Sequence, residues 1–225
     1  MVVTSHMTRG MTAHVVRDQM LQDFMQGGFV PGMKLDMDEL AERYAVSRTP
    51  IREALIILSA DGFLTSGNYG FEVRAPSFNE VCEMYNIRRS LECLAVEELV
   101  TKGVSPELLQ QLRENLAKQE AQDPADYKLR TQLDQRFHEL ICDSCGSPML
   151  SQLVRRYMIL STIFNYVELY MPTIRKGSKK ALRAQCKQHA QIIAGLEAQN
   201  ASKASKAMFK HLLCARRFFE LHAIH

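Results

Sequence analysis

The sequence has no tryptophan, no run approaching the roughly 20 apolar residues that a bilayer span needs, and no dense cysteine framework. Its six cysteines, at positions 82, 93, 142, 145, 186 and 214, are scattered through helical patterns. That spacing excludes a stapled secreted domain and reads as reduced thiols. The opening MVVTSHMTRG lacks the apolar core and small-residue cleavage site of an export signal, so a cytoplasmic protein without membrane contact is expected. A strong charge imbalance is missing too. The formal net charge of +3 is too small to identify a nucleic-acid binder, and the location of charge matters more than its total. What remains is 46% hydrophobic and 24% charged, the balance of an ordinary globular protein, in 225 residues that suffice for two modest domains.

Helical periodicity begins at once. Val15, Val16, Met20, Leu21, Phe24 and Met25 recur at helical spacing between Thr12 and Gly27. Pro31-Gly32 turns the chain into a short second helix opened by Asp36, Asp38 and Glu39, and Ala45-Val46-Ser47 connects tightly to a third helix over 48–60, with Ser47 placed to cap it. Two helices joined this closely form a helix-turn-helix. Asp61-Gly62 stops the third helix. Phe63 to Val73, with Gly67-Asn68-Tyr69-Gly70 at its centre, then reads as strand, tight turn, strand, a two-stranded wing. Ser77 and Glu80 form a capping box that opens the second half, and the boundary is set there: residues 1–76 and 77–225. The second half is helical throughout, with helices expected over 77–101, 106–121, 125–144, 148–171, 178–199 and 201–223. The fold class is therefore mainly α, a winged helix-turn-helix followed by an antiparallel bundle of about six helices.

Arg48 and Arg52, four apart at the start of the third helix, project from one face about 6 Å apart along the axis. Ser47 and Thr49 flank them. Guanidinium forks, hydroxyls and free helix amides at one helix end suit guanine edges and phosphates of a major groove. Lys34, Arg43 and Arg74 are further candidates for phosphate contact. Taken alone, two arginines are more readily explained as the solvated face of a surface helix.

The wider pattern is more specific. The run PGMKLDMDELAERYAVSRTPIREALIILSADGFL followed by GNYGFEV resembles the winged-helix signature of the GntR family of bacterial regulators, over about residues 12–76. The resemblance implies principal DNA contacts at Arg48 and Arg52, phosphate contacts at Ser47 and Thr49, and a wing tip, Asn68 to Gly70, that enters the minor groove. One position departs from the pattern: some members carry an arginine ten residues before the equivalent of Arg48, and Asp38 stands there in this chain.

In the second half Asp134 and His138 are spaced i, i+4, so both can face one ion, and His189 and His211 fall in the last two helices, where antiparallel packing can bring them together. Three imidazoles and a carboxylate suit zinc or nickel, and also manganese or iron. Each histidine alone is more often core or surface filler than a ligand. The segments LDQRFHELICDSCGSPML, QHAQIIAGL and AMFKHLL resemble the successive signatures of the FCD domain, the helical effector module of the FadR-type branch of that family. By this resemblance Asp134, His138, His189 and His211 are metal ligands. Arg88, in MYNIRRSLE, is the candidate partner for a small organic or sugar-acid effector, with a salt bridge to Glu92 as the competing reading. Arg89 is expected to be solvated. The pair Cys142 and Cys145, with Cys186 and Cys214 near the histidines, leaves a thiolate or redox role open.

The expectation is a homodimeric, metal-dependent transcriptional regulator, read as a repressor, that grips a palindromic duplex operator and responds to a carboxylate. An enzyme is not expected, because no second glutamate, nucleophile or phosphate loop completes a reactive site. A sensor of the metal itself stays as an alternative.

Overall fold

The computed structural model describes residues 12–67, 70–169 and 178–222. The chain falls into two compact units, Met1–Ala75 and Pro76–His225.

In the first unit, helix α1 (Ala13–Met25) is capped by the Thr12 hydroxyl and buries Val16, Met20 and Phe24, a stripe spaced by four residues. Helix α2 (Met37–Arg43) starts at Asp36, whose carboxylate accepts the amides of Asp38 and Glu39, and two acidic residues in its first turn suit the positive end of the helix dipole. Helix α3 (Arg48–Ala60) buries Ile51, Ala54, Leu55 and Leu58 and packs on α1. The turn between α2 and α3 is closed by amide bonds from Ala45 to Glu42 and from Val46 to Ala41. It requires Ala45 at φ 53°, the left-handed conformation usually left to glycine. Ser47 occupies the cap position of α3, but its side chain makes no capping bond, contrary to expectation. Phe24 meets Phe29 and Phe63 with ring centroids 4.7 and 6.0 Å apart, closing the small core.

The wing has three strands, not two. Strands β2 (Leu64–Gly67) and β3 (Gly70–Val73) form the expected hairpin, and β1 (Lys34–Leu35) adds to the outer edge of β3, giving the order β1-β3-β2, all antiparallel. A two-residue strand shows no alternation, so only its pairing with Glu72 and Phe71 reveals it.

The second unit consists, among the described residues, of α4 (Phe78–Lys102), α5 (Pro106–Ala121), α6 (Tyr127–Ser144), α7 (Pro148–Leu169), α8 (Ser178–Glu197) and α9 (Ala201–His222). The Ser77–Glu80 capping box opens α4 as expected, and Ser105 and Asp126 cap α5 and α6. The breaks expected near Gly103 and Gly146 carry positive φ values of 94° and 71°. One continuous core joins Val96, Leu112, Phe137, Ile141, Val154, Ile192 and Leu212, so all six helices share it. On α7, Leu150, Val154 and Leu160 are buried, whereas Met149 and Leu153 face outward; the side chains of Ile163, Phe164 and Val167 lie outside the described residues. No described helix is long and apolar enough to cross a membrane.

The α8–α9 hairpin is set by a close contact. A Cβ added at Gly195 would lie 2.6 Å from the backbone N and Cα of Ala204, so only glycine permits this approach. His189 and His211 sit about two turns away on the two arms. Gly195→Ala must push these backbones apart, at a cost of about 1–3 kcal/mol. The expected outcome is a melting temperature lower by roughly 3–10 °C; an unchanged thermal melt would remove the contact from the account of the hairpin.

Candidate metal centre and nucleic-acid interface

The bundle core contains an unusual set of buried polar side chains: Arg88, Glu92, Gln119, His138, Ser161, His189 and His211. Burial of such groups is tolerable only when each finds a partner. Asp134 and His138 come from α6, His189 from α8 and His211 from α9, and one ligand atom from each lies within 4.8 Å of the others. The Nε2 atoms of His138 and His211 are 3.1 Å apart, and those of His189 and His211 are 3.4 Å apart. Asp134 Oδ1 lies 3.4 Å from His189 Nε2 and 3.8 Å from His138 Nε2. The four residues read from the sequence as ligands therefore converge.

The far side of each ring explains why they converge through Nε2. His138 Nδ1 meets Glu92 Oε2, His189 Nδ1 lies 2.8 Å from Gln119 Oε1, and His211 Nδ1 lies 2.9 Å from Gln188 Oε1. All three partners are oxygens. A carboxylate and two amide carbonyls accept, so each imidazole donates from Nδ1 and carries a bare lone pair on Nε2. The Gln119 amide is itself oriented by donation from Nε2 to Asn115 Oδ1 at 2.6 Å. Phe137 stacks on His189 with ring centroids 3.9 Å apart and planes 9° from parallel. Gln185 Nε2 donates to Asp134 Oδ1 at 2.5 Å, and Arg130 Nε holds Gln185 Oε1 at 3.0 Å. Three lone pairs and a carboxylate oxygen facing one point repel each other unless a cation lies among them. Metal–nitrogen bonds of about 2.0–2.1 Å place neighbouring ligand atoms about 3.0–3.4 Å apart, a range that the His138–His211, His189–His211 and Asp134–His189 spacings meet and the 3.8 Å between Asp134 and His138 exceeds.

The electrostatics agree. Burial, together with the adjacent imidazoles, holds His211 well below the ordinary histidine range, and burial lowers His189 despite the Asp134 carboxylate beside it. For Asp134, burial acts upward but is outweighed by the three histidine rings that face it, so the carboxyl stays ionised. The cysteines stand apart from this group. Burial, then Glu92, pushes Cys142 up, which keeps it a neutral thiol, and no described cysteine joins the cluster.

Arg88 forms the salt bridge to Glu92 that its spacing suggested. Its Nε donates to Glu92 Oε1 at 2.9 Å and its Nη1 to Ser161 Oγ at 2.9 Å, and it also lines a cavity of about 30 Å³ with Asp134, His138, His211, Thr131 and Gln135. Arg89 is not simply solvated: its guanidinium lies 4.5 Å from the Phe209 ring centroid. Glu92, Gln119, Gln185 and Gln188 were not read as part of the centre. Only the i, i+4 spacing of Gln185 and His189 hinted at any of them.

On the first unit, Ser47, Arg48, Thr49 and Arg52 are all exposed at the start of α3. Arg48 Nε pairs with Asp38 Oδ1 at 3.0 Å, and both side chains remain more than 60% exposed, so the pair is easily opened. Arg43 is engaged elsewhere. Its Nη2 lies 2.6 Å from Asp23 Oδ2 and its guanidinium sits over Phe29, joining α2 to the end of α1. Gly70 is exposed at φ 105°, and Asn68 lies outside the described residues.

Comparison with known proteins places these two sites in context. Residues 12–73 match the bacterial regulatory proteins of the gntR family, and residues 83–213 match the FCD domain. The chain is 30% identical to the HTH-type transcriptional repressor GlaR of Escherichia coli, over 85% of this chain and 88% of that protein. It is 28% identical to the HTH-type transcriptional regulator YdhC of Bacillus subtilis, over 86% and 84% respectively. Its fold is similar to that of E. coli McbR, with a TM-score of 0.82 at 22% identity, covering 94% of this chain and 98% of the other. These relatives are regulators, not enzymes.

With any bound cation stripped by a chelator, stability should fall as pH drops below about 6.5. The unfolded chain then takes up protons that buried His189 and His211 refuse, so the unfolded state gains. His211→Asn should flatten the dependence of melting temperature on pH between 7.5 and 5.5. An equal slope in both proteins would show that other groups govern it.

Proposed function

The chain belongs to the GntR family of bacterial transcriptional regulators and carries an FCD effector domain, and from that premise we propose that its operator affinity is governed by a small carboxylate bound beside a divalent cation. Asp134, His138, His189 and His211 hold the cation, zinc or nickel first, manganese or iron next. The observation that carries this reading is the set of three Nε2 lone pairs aimed at one point with every Nδ1 already engaged. Such a cation accepts a hard carboxylate oxygen in place of water.

Arg88 supplies the complementary charge for the acid. The cavity that it lines has about 30 Å³, room for a water or two rather than for an organic acid. Binding of even a small acid therefore moves the surrounding helices, and that movement is the signal. A metal ion acting alone would not need the arginine, which favours the acid as effector.

At the DNA, Arg48 and Arg52 read the major groove and Ser47 and Thr49 hold phosphates, with the backbone around Gly70 and Asn68 as the wing tip. The missing cap bond at Ser47 supports this, because its hydroxyl is left available. Arg43 contributes by fixing α2 rather than by direct contact, and Asp38 restrains Arg48 until duplex is bound. Two copies bind the halves of a palindrome, since twofold protein symmetry is matched by twofold DNA symmetry. Repression in the cytoplasm is the mode we favour, in line with the name of the relative GlaR.

Two experiments test the reading. The double variant Arg48→Ala, Arg52→Ala should bind duplexes selected by the native protein at least about thirtyfold more weakly in fluorescence anisotropy, with its metal content intact; retained affinity would refute the reading helix. His189→Ala should lose metal by elemental analysis while its circular dichroism stays helical. Full metal content in that variant would strike His189 from the ligands.

A further inference from the structure

The three imidazoles of the centre differ in one respect. His189 and His211 rest on neutral amides, Gln119 and Gln188, whereas His138 rests on a carboxylate, Glu92. The two oxygens of that carboxylate have different partners: Oε2 takes His138 Nδ1, and Oε1 takes Arg88 Nε at 2.9 Å. Glu92 is fully buried and Arg88 nearly so, and neither is open to bulk solvent. Arg88 in turn lines the cavity beside Asp134 and His138.

We propose that Glu92 is the coupling residue of this domain, one carboxylate shared between the cavity arginine and a metal-binding imidazole, through which acid binding and cation binding strengthen each other. The inference rests on the reading of the site given above. An anion drawn to the Arg88 guanidinium competes with Glu92 Oε1 for it. As that bond weakens, the charge of Glu92 is left to His138, whose Nδ1–H donates more strongly and whose Nε2 becomes a better electron donor. The linkage runs both ways by thermodynamic necessity: an imidazole donating electrons from Nε2 is a stronger hydrogen-bond donor at Nδ1, draws Glu92 toward itself and releases Arg88 for an anion. The neutral amides of Gln119 and Gln188 cannot act in this way, because neither is bound to a cationic residue of the cavity.

A simple charge effect makes a different prediction, and the carboxylate's reach separates the two. Glu92→Asp keeps the charge but is one methylene too short to hold both partners; Glu92→Gln keeps the reach but not the charge. Zinc affinity would be measured by competition with a chromophoric chelator, with and without acetate as the carboxylate probe, in the native protein, both Glu92 variants and Gln188→Ala.

In the native protein acetate should tighten zinc binding at least about fivefold. Both Glu92 variants should still bind zinc, about 10–100-fold more weakly for Glu92→Gln, and should keep only the part of the acetate effect that direct coordination supplies, less than about twofold. Gln188→Ala should weaken zinc binding yet retain the full acetate effect. An undiminished acetate effect in either Glu92 variant overturns the coupling role, and so does its loss in Gln188→Ala. Zinc binding in the native protein without any acetate effect also overturns it while leaving the metal site standing; failure of the native protein to bind zinc removes the site and the coupling together.

Discussion

The helical domain is organised around a repulsion that it does not relieve by itself. Three imidazoles aim Nε2 at one region, that of His211 lying 3.1 Å from His138 and 3.4 Å from His189, and their other nitrogens are already committed to Glu92, Gln119 and Gln188. In a bundle whose surroundings are Leu112, Phe137, Ile141, Ile192 and Leu212, that arrangement is unfavourable without a positive charge at its centre. The helices are held in place by apolar burial, and the polar centre takes its form from them. It follows that a positive charge placed there stabilises the native bundle rather than a loose chain, which links occupancy to conformation.

Five of the six helices contribute to the centre directly or through one hydrogen bond, and the sixth, α7, enters through Ser161 on Arg88. The candidate ligands thus sit on α6, α8 and α9, and the residues that orient them sit on α4, α5 and α8. Such distribution has a mechanical consequence. A displacement of any one helix alters either a candidate ligand or its support, so a small molecule entering beside Arg88, as proposed, would be felt throughout the bundle. Ring stacking of Phe137 on His189 and the tight Gly195–Ala204 crossing leave little slack to absorb it locally.

The reading head follows a different economy of charge. Its core is apolar and small, and its arginines divide into two kinds. Arg43 is consumed by the fold through Asp23 and Phe29, whereas Arg48 and Arg52 stand at an exposed helix start, the former held only by a solvent-screened pair with Asp38. Asp38 places a negative charge beside Arg48 at the start of the reading helix.

Much of this was legible in the chain itself. Helix limits followed from apolar spacing and from local chemistry, such as the Ser77–Glu80 box, Gly103 and Gly146, because caps and breaks act within a few residues. The short strand Lys34–Leu35 was not legible, being defined solely by its pairing with Glu72 and Phe71 far along the chain, nor was the attachment of Arg89 to Phe209 or of Arg43 to Asp23. For the centre, residue types and spacing determined which histidines and carboxylate were eligible. Tertiary structure alone decided that their Nε2 atoms meet, that Gln119, Gln188 and Glu92 orient them, and that Glu92 also holds Arg88. Those contacts join helices distant in sequence, and the direction in which a ring points depends on what lies behind it, which no periodicity records.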